Sequence, residues 1–474
     1  MRRFAVLIAV LVGCADYAKP SVGLYEAGDY AGAAKAADDG LAAHPDDDAL
    51  WAMRVRSTLA LGDGMAVEKA YAGYVAHRGD DDRGLLHGLA LATLSQALNS
   101  TSAKLKIAAI ETIEQLELQP LADAVANAMG DGDDRVAATA SIAVLHAYPQ
   151  APQVADAMLK SENPEARRIA VAGVARKAGV IAKAEIESAA SDPDARVRRA
   201  AVAALGAFAD KDAVAMLAQR LADKDENVRA AAASSLAEIG VGDLAAFAKQ
   251  ALADQALAVR VGGVDLLAAA NDHDALTTLA NDPEPVIALQ AVIAIEELGA
   301  PMRKHNGRVQ REHVAPHTQL GMTVVPRAIA SPKWEVRAGA ANMLDQVVPK
   351  DAALTFAEQL AKDSDPHVAL AAARVLGRDG NRDAAIAVFR AQLDGPEAAQ
   401  AAADLAGLDG DNAALAKLSS LARDPTRTPE QRAEAVSAHR TARRITPGLV
   451  AALADPAGTV RVEAASVLAS LARD

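Results

Sequence analysis

Hydrophobic and polar positions alternate along this chain with one dominant rhythm. It is clearest in the stretch Asp192–Gly206. An acidic turn containing Pro193 is followed by apolar residues at Val197, Ala200, Ala201, Ala204, Leu205 and Phe208. These are the i, i+3, i+4, i+7, i+8 positions of a single helical face, so the stretch predicts an amphipathic helix opened by an acidic cap. With Val197 as reference, equivalent positions are Leu105, Val136, Ala166, Val228, Val259, Ile287, Val336, Val368, Ala398, Gln431 and Val460. Successive spacings along the full series are 31, 30, 31, 31, 31, 28, 49, 32, 30, 33 and 29 residues. A period near 31 signals stacked two-helix units, none of which can bury its apolar face without neighbours. Ala398 and Gln431 carry the poorest apolar registers of the series.

The motif acid-Pro-x-x-x-Val-Arg-x-Ala-Ala, closing on Leu-Gly or Ile-Gly, is complete in Asp192–Gly206 and recurs in Asp225–Gly240 without the proline and in Asp365–Gly377 without the arginine. This pattern resembles the HEAT family, in the short form also seen in phycobilin-lyase-type repeats. The resemblance covers residues 101–300 and 319–474. It implies an all-α fold, a right-handed α-solenoid superhelix of stacked antiparallel helix pairs. Alanine on both helix faces allows close axial approach and favours the helix itself. The arginines of the Val-Arg pairs (Arg198, Arg229, Arg260, Arg337, Arg461) recur at one structural position. Recurrence points to stacking, each paired with an acid of the preceding turn or the next repeat, because a binding site would be local.

Residues 21–100 follow another period. Gly28-Asp29 recurs at Gly62-Asp63, and Pro45-Asp46-Asp47 aligns with Gly79-Asp80-Asp81, both 34 residues apart. Thirty-four is the tetratricopeptide (TPR) period, and Ala33, Leu41, Pro45, Trp51, Val67 and Tyr71 fall at packing positions of that family. The segment resembles two degenerate TPR-like units capping the solenoid, with Gly40 where a small alanine is usual. Plain helical hairpins sharing the period by chance are the alternative. Trp51 then reads as a packing residue. The triplets Asp46-Asp47-Asp48 and Asp80-Asp81-Asp82 read as helix caps rather than a calcium loop.

Met1-Arg2-Arg3, the apolar run Phe4–Val12 and Leu11-Val12-Gly13-Cys14 have the anatomy of an export signal, too short to span a bilayer. The last four residues resemble a bacterial lipobox. The resemblance implies that residues 1–13 are a signal peptide, that Cys14 carries lipid, and that 14–20 is a linker. Ala15, rather than an acid, follows the cysteine and favours the outer membrane over the inner. Cys14 is the one cysteine of the sequence, so no disulfide within the chain is possible. An ordinary cleaved signal, or a cytosolic chain with an apolar start, remains open.

The spacing of 49 between Ile287 and Val336 marks an insertion at 301–318. It is basic in a chain of net charge −13 and holds three of the ten histidines. Insertions in repeat arrays map to loops on one face, often the binding face. Three readings stand: a tolerated loop; a docking loop presenting Arg303, Lys304, Arg308 and Arg311 to an acidic partner; or a metal site at His305, His313 and His317, against which Pro316 argues by interrupting any helix there. Trp334 is expected in an inter-helix turn, packed over the insertion or anchoring a partner. No nucleophile elbow, phosphate loop or His-Glu-x-x-His occurs, and the acidic total opposes nucleic-acid binding. The sequence therefore predicts a lipid-anchored, non-enzymatic protein-interaction scaffold of the bacterial envelope. It has no catalytic, cofactor or metal residues and no small-molecule substrate. The alternative is an accessory lyase-like or metal-dependent enzyme on the same scaffold.

Overall fold

The computed structural model describes residues 16–150, 152–300, 302–305, 308–311 and 319–473. Cys14 and the signal region lie outside them, as do His313 and His317. Helices joined by short turns account for nearly all of the described residues, with one two-stranded hairpin as the exception.

The Val197 unit shows how the pattern makes its helix. Asp194 accepts the backbone N–H of Arg196 and opens the helix Ala195–Leu205. Val197, Ala201, Val202 and Leu205 are buried, while Ala200 and Ala204 are half-buried at the edges of the stripe. The helix stops at Leu205, so Phe208 reaches the core from the following turn and not, as its spacing suggests, from the helix. The same aspartate cap opens the helices of Val228 (Asp225) and Val368 (Asp365).

Contacts group the chain into two compact units, Met129–Val388, and Met1–Ala128 together with Phe389–Asp474. In the Met129–Val388 unit each repeat's reference helix packs on the next. The order runs Asp134–Ala147, Pro164–Ala178, Ala195–Leu205, Glu226–Ile239, Leu257–Ala269, Pro285–Gly299, Trp334–Val347 and Pro366–Asp379. A continuous apolar cluster runs from Ile142 to Ile295 through the first six of these helices, the nearest-neighbour burial expected of an α-solenoid.

In the other unit the amino-terminal helices pack on the carboxyl-terminal repeats. Helix Arg83–Leu98 lies against Gly458–Leu471, and Gly64–Arg78 against Pro447–Ala451. Glu68 pairs with Arg423 at 2.7 Å. Two helices of residues 21–100 thus cover the last repeat. Gly40 is explained by the packing of helix Tyr30–Ala43 on Asp48–Leu61, since a Cβ there would sit 2.8 Å from Leu50 Cδ2. Gly448 is a tighter case: a Cβ would lie 2.1 Å from the Ser419 carbonyl oxygen, a backbone atom that cannot rotate away. Gly448→Ala is expected to lower stability by about 1–3 kcal/mol through this overpacking, read as a lower thermal or urea midpoint.

The acid triplets do cap helices. Asp47 accepts from Leu50 N and Asp82 from Leu85 N, each at 2.9 Å. They do more than the sequence indicates: Tyr71 donates to Asp81 at 2.5 Å and Tyr74 to Asp82 at 2.8 Å. Burial first, and these carboxylates second, push both phenols well above their ordinary range. Trp51 packs as expected, its ring near-parallel to those of Tyr74 and His77, with its indole N–H on the Pro45 carbonyl at 2.9 Å.

Candidate functional site

The recurrent arginines are used inside the stack. Arg198 donates Nη1 to the carbonyls of Asp192 and Pro193 in its own turn, at 3.0 and 3.1 Å. Its Nε and Nη2 form a two-pronged bond with Asp223 of the next repeat, at 2.9 and 2.7 Å. Asp223 Oδ1 also accepts the N–H of Asp225. Burial alone would raise the Asp223 carboxyl, but Arg198 and that N–H outweigh it and hold it below the usual carboxylate range. The same clip joins Arg167 to Asp192, Arg229 to Asp254, Arg337 to Asp363 and Arg432 to Asp455. The acid comes from the next repeat, and the preceding turn supplies carbonyls. Arginine's planar fork suits this bidentate geometry, which lysine's point charge would not reproduce. The Arg167 and Arg432 clips were missed in the sequence because Ala166 and Gln431 replace valine; the arginine one position on is the signal that finds them.

The insertion is not the loop that the broken helical pattern suggests. Its described backbone contains strands β1 (Met302–His305) and β2 (Arg308–Arg311), paired antiparallel with Met302 opposite Arg311 and His305 opposite Arg308. The missed signal is Asn306-Gly307, the dipeptide most strongly associated with a two-residue hairpin connection. Arg303, Lys304, Arg308 and Arg311 therefore all belong to one short β-ribbon. Of the three candidate metal-ligating histidines, only His305 lies on the described backbone. Among the described residues, no group of three or more His, Cys, Asp or Glu side chains is arranged to hold a metal ion.

The hairpin follows the carboxyl end of helix Pro285–Gly299. At the corresponding ends of other reference helices in this unit, Tyr148, Ile181 and Val241 are 57%, 62% and 46% exposed. One edge of the unit therefore carries isolated apolar side chains and the basic ribbon, while the arginine–aspartate clips occupy the turns at the opposite edge. Trp334 belongs to that opposite edge. It opens the helix Trp334–Val347 and does not lie in a turn. Its indole is stacked on the His367 ring, with centroids 4.4 Å apart. The ten-residue helix Leu320–Ile329 separates it from the insertion, roughly 15 Å at 1.5 Å per residue. The structure does not bring Trp334 together with the basic residues as one site.

A groove of about 490 Å³ in the same unit is lined by Asp156, Lys160, Glu185 and Asp192 among others. Asp192 is already held by Arg167, and the rest do not form a nucleophile, base and orienting group in sequence. No described helix is long and apolar enough to cross a membrane.

The family profile describing HEAT repeats matches residues 151–237, 182–268 and 322–403. No curated protein matches the chain in sequence. Among solved structures, the chain is similar to the complex of CpcE and CpcF of phycocyanin lyase from Nostoc sp. PCC7120, at 21% identity over 50% of this chain and 92% of that one, with a TM-score of 0.31. Human deoxyhypusine hydroxylase in complex with glycerol matches at 19% identity over 54% and 92%, TM-score 0.26. Kap121p matches at 14% identity over 86% of this chain and 48% of that chain, TM-score 0.37. The clips, the helix pairs and the matched segments agree: residues 151–268 and 322–403 of this protein are HEAT repeats.

Proposed function

We propose that the protein is a non-enzymatic scaffold that binds another protein through the edge bearing the 301–318 insertion, and that lipid on Cys14 tethers it to the bacterial envelope, at the outer membrane. One contrast carries the binding half of this reading. Five arginines of the regular array are spent on aspartates of neighbouring repeats, whereas four cationic residues of the insertion are gathered on a ribbon outside the array. In an acidic chain, that ribbon is a local positive feature suited to an acidic protein surface. The cells' own chemistry would supply the lipid, and two or more acyl chains hold a protein durably where one does not.

Deleting residues 301–318 is expected to leave the thermal melt largely intact and to abolish partner capture in a crosslinking pull-down from intact envelopes. Capture at the wild-type level by the deleted protein would remove the docking role. The mass of the native amino terminus tests the anchor separately: a diacylglyceryl-modified Cys14 is expected, and an unmodified Met1 would sink it.

A further inference from the structure

The position five residues before the reference residue recurs with one geometry in most repeats, the exceptions being Leu393 and Thr426. Its side-chain oxygen accepts the backbone N–H two residues on, as in Asp192, Asp223, Asp254, Asp363 and Asp455. Those five aspartates receive an arginine from the preceding repeat; Asp131 and Asp282 make the same turn bond, but Lys106 stands in the arginine's place before Asp131, and Arg260, before Asp282, bonds only the carbonyls of its own turn among the described residues. Ser161 and Ser331 occupy the same place and make the same turn bond. The residues of the preceding repeats that stand where the arginine would be are Ala137 and Ala288. Serine, in those cases, goes with the absence of an arginine.

Ser100 also occupies this place, five before Leu105, and accepts Ser102 N–H at 3.1 Å. The helix it precedes, Ala103–Gln115, packs on the last helix, Gly458–Leu471, so closely that a Cβ on Gly458 would meet Leu105. The residue facing Ser100 from the preceding layer is therefore Arg461. Arg461 makes the turn half of the clip, with Nη1 on the carbonyls of Asp455 and Pro456 at 2.7 and 3.1 Å. Among the described residues, no carboxylate is bonded to its Nε and Nη2. In the aspartate's stead there is a cavity of about 230 Å³, lined by Arg461, Ser100, Thr93, Gln96 and Asn99. That is far more than the roughly 10–15 Å³ which one water requires.

We propose that this cavity is a carboxylate-binding site, in which Arg461 grips a carboxylate from outside the chain as Arg198 grips Asp223. The geometry is supplied five times over by the protein's own clips: two parallel N–H···O bonds to a carboxylate that is itself held near a turn. The hydroxyl and amide groups of Thr93, Ser100, Gln96 and Asn99 provide donors and acceptors for the rest of the ligand. The carboxylate's source is either an acidic side chain of a bound protein or a free small acid. This inference does not depend on the 301–318 ribbon, which belongs to the other unit.

The test is calorimetric titration of the purified full chain with N-acetyl-aspartate amide and with sodium acetate, against sodium chloride at matched ionic strength. Saturable binding of a carboxylate, absent with chloride, is expected. Binding of the aspartate derivative at least tenfold tighter than acetate identifies a protein side chain as the source, and comparable binding identifies a free acid. Arg461→Gln should weaken binding at least tenfold. Ser100→Asp should fill the cavity from within, abolishing titration while raising the melting temperature. Absence of saturable binding to the wild type, or undiminished binding by folded Ser100→Asp, overturns the proposal; so does a Ser100→Asp protein that melts below the wild type.

Discussion

Asp223→Ala is expected to destabilise the Met129–Val388 unit by about 3–5 kcal/mol, the usual cost of removing one partner of a buried ion pair. The Arg198 and Asp223 side chains are only 6% and 4% exposed. With the aspartate gone, the guanidinium keeps its two turn carbonyls but is left with an uncompensated charge in a dry interface between repeats. The rung at Asp254 provides the internal comparison. There the side chains are 18% and 14% exposed, water can take up part of the lost interaction, and Asp254→Ala should cost less. Urea midpoints of the two variants measure the difference. Replacing Arg198 and Asp223 together by Met and Leu should recover most of the loss, because the penalty lies in the orphaned charge more than in the missing attraction. An Asp223→Ala cost below about 1 kcal/mol, the range of exposed pairs, would show that the clip is incidental to stacking.

Acidification from pH 6.5 to 4 is expected to remove about 3 kcal/mol of stability through one histidine, at about 1.4 kcal/mol for each unit of pKa difference. His439 is fully buried. Its Nδ1 lies 2.9 Å from the Ala435 carbonyl, which can only accept, so Nδ1 carries the proton. Nε2, 2.8 Å from Thr446 Oγ1, then accepts from the threonine. Burial holds the folded pKa down to about 4, and the two carbonyl contacts offset it only in part. The direction follows from proton counting. Between pH 6.5 and 4 the unfolded chain binds a proton that the folded chain refuses, so stability is complete above the unfolded pKa and falls as pH falls toward the folded one. His439→Gln removes the titrating group and should flatten this part of the stability profile, even if its stability at pH 7 is lower. An unchanged slope would place the acid sensitivity elsewhere. The clip aspartates act in a separate, lower window: their folded pKa values are depressed, so their contribution is lost only as pH drops through the carboxylate range.

Repeat number, helix position and capping chemistry were legible along the chain because each is local. A helical stripe needs only neighbours three and four residues away, and Asp194 caps a helix that starts beside it. The structural role of Arg198, Arg229 and Arg337 was also legible, from their recurrence at one position. Within the insertion, the broken period was visible but the hairpin was not. Strands four residues long leave little alternation to detect, and only Asn306-Gly307 marks the turn.

The sequence alone determined the pairs and their period, because those follow from spacing within some thirty residues. Tertiary structure decided which surfaces meet. It laid Arg83–Leu98 over the last repeat, turned Trp334 onto His367 and away from the insertion, and set Ser100 opposite Arg461. The physical reason is that similar alanine-rich faces can stack on many others. Shape at close approach, as at Gly458 and Gly448, and the matching of charge across each layer select among them, and neither is written in the order of residues.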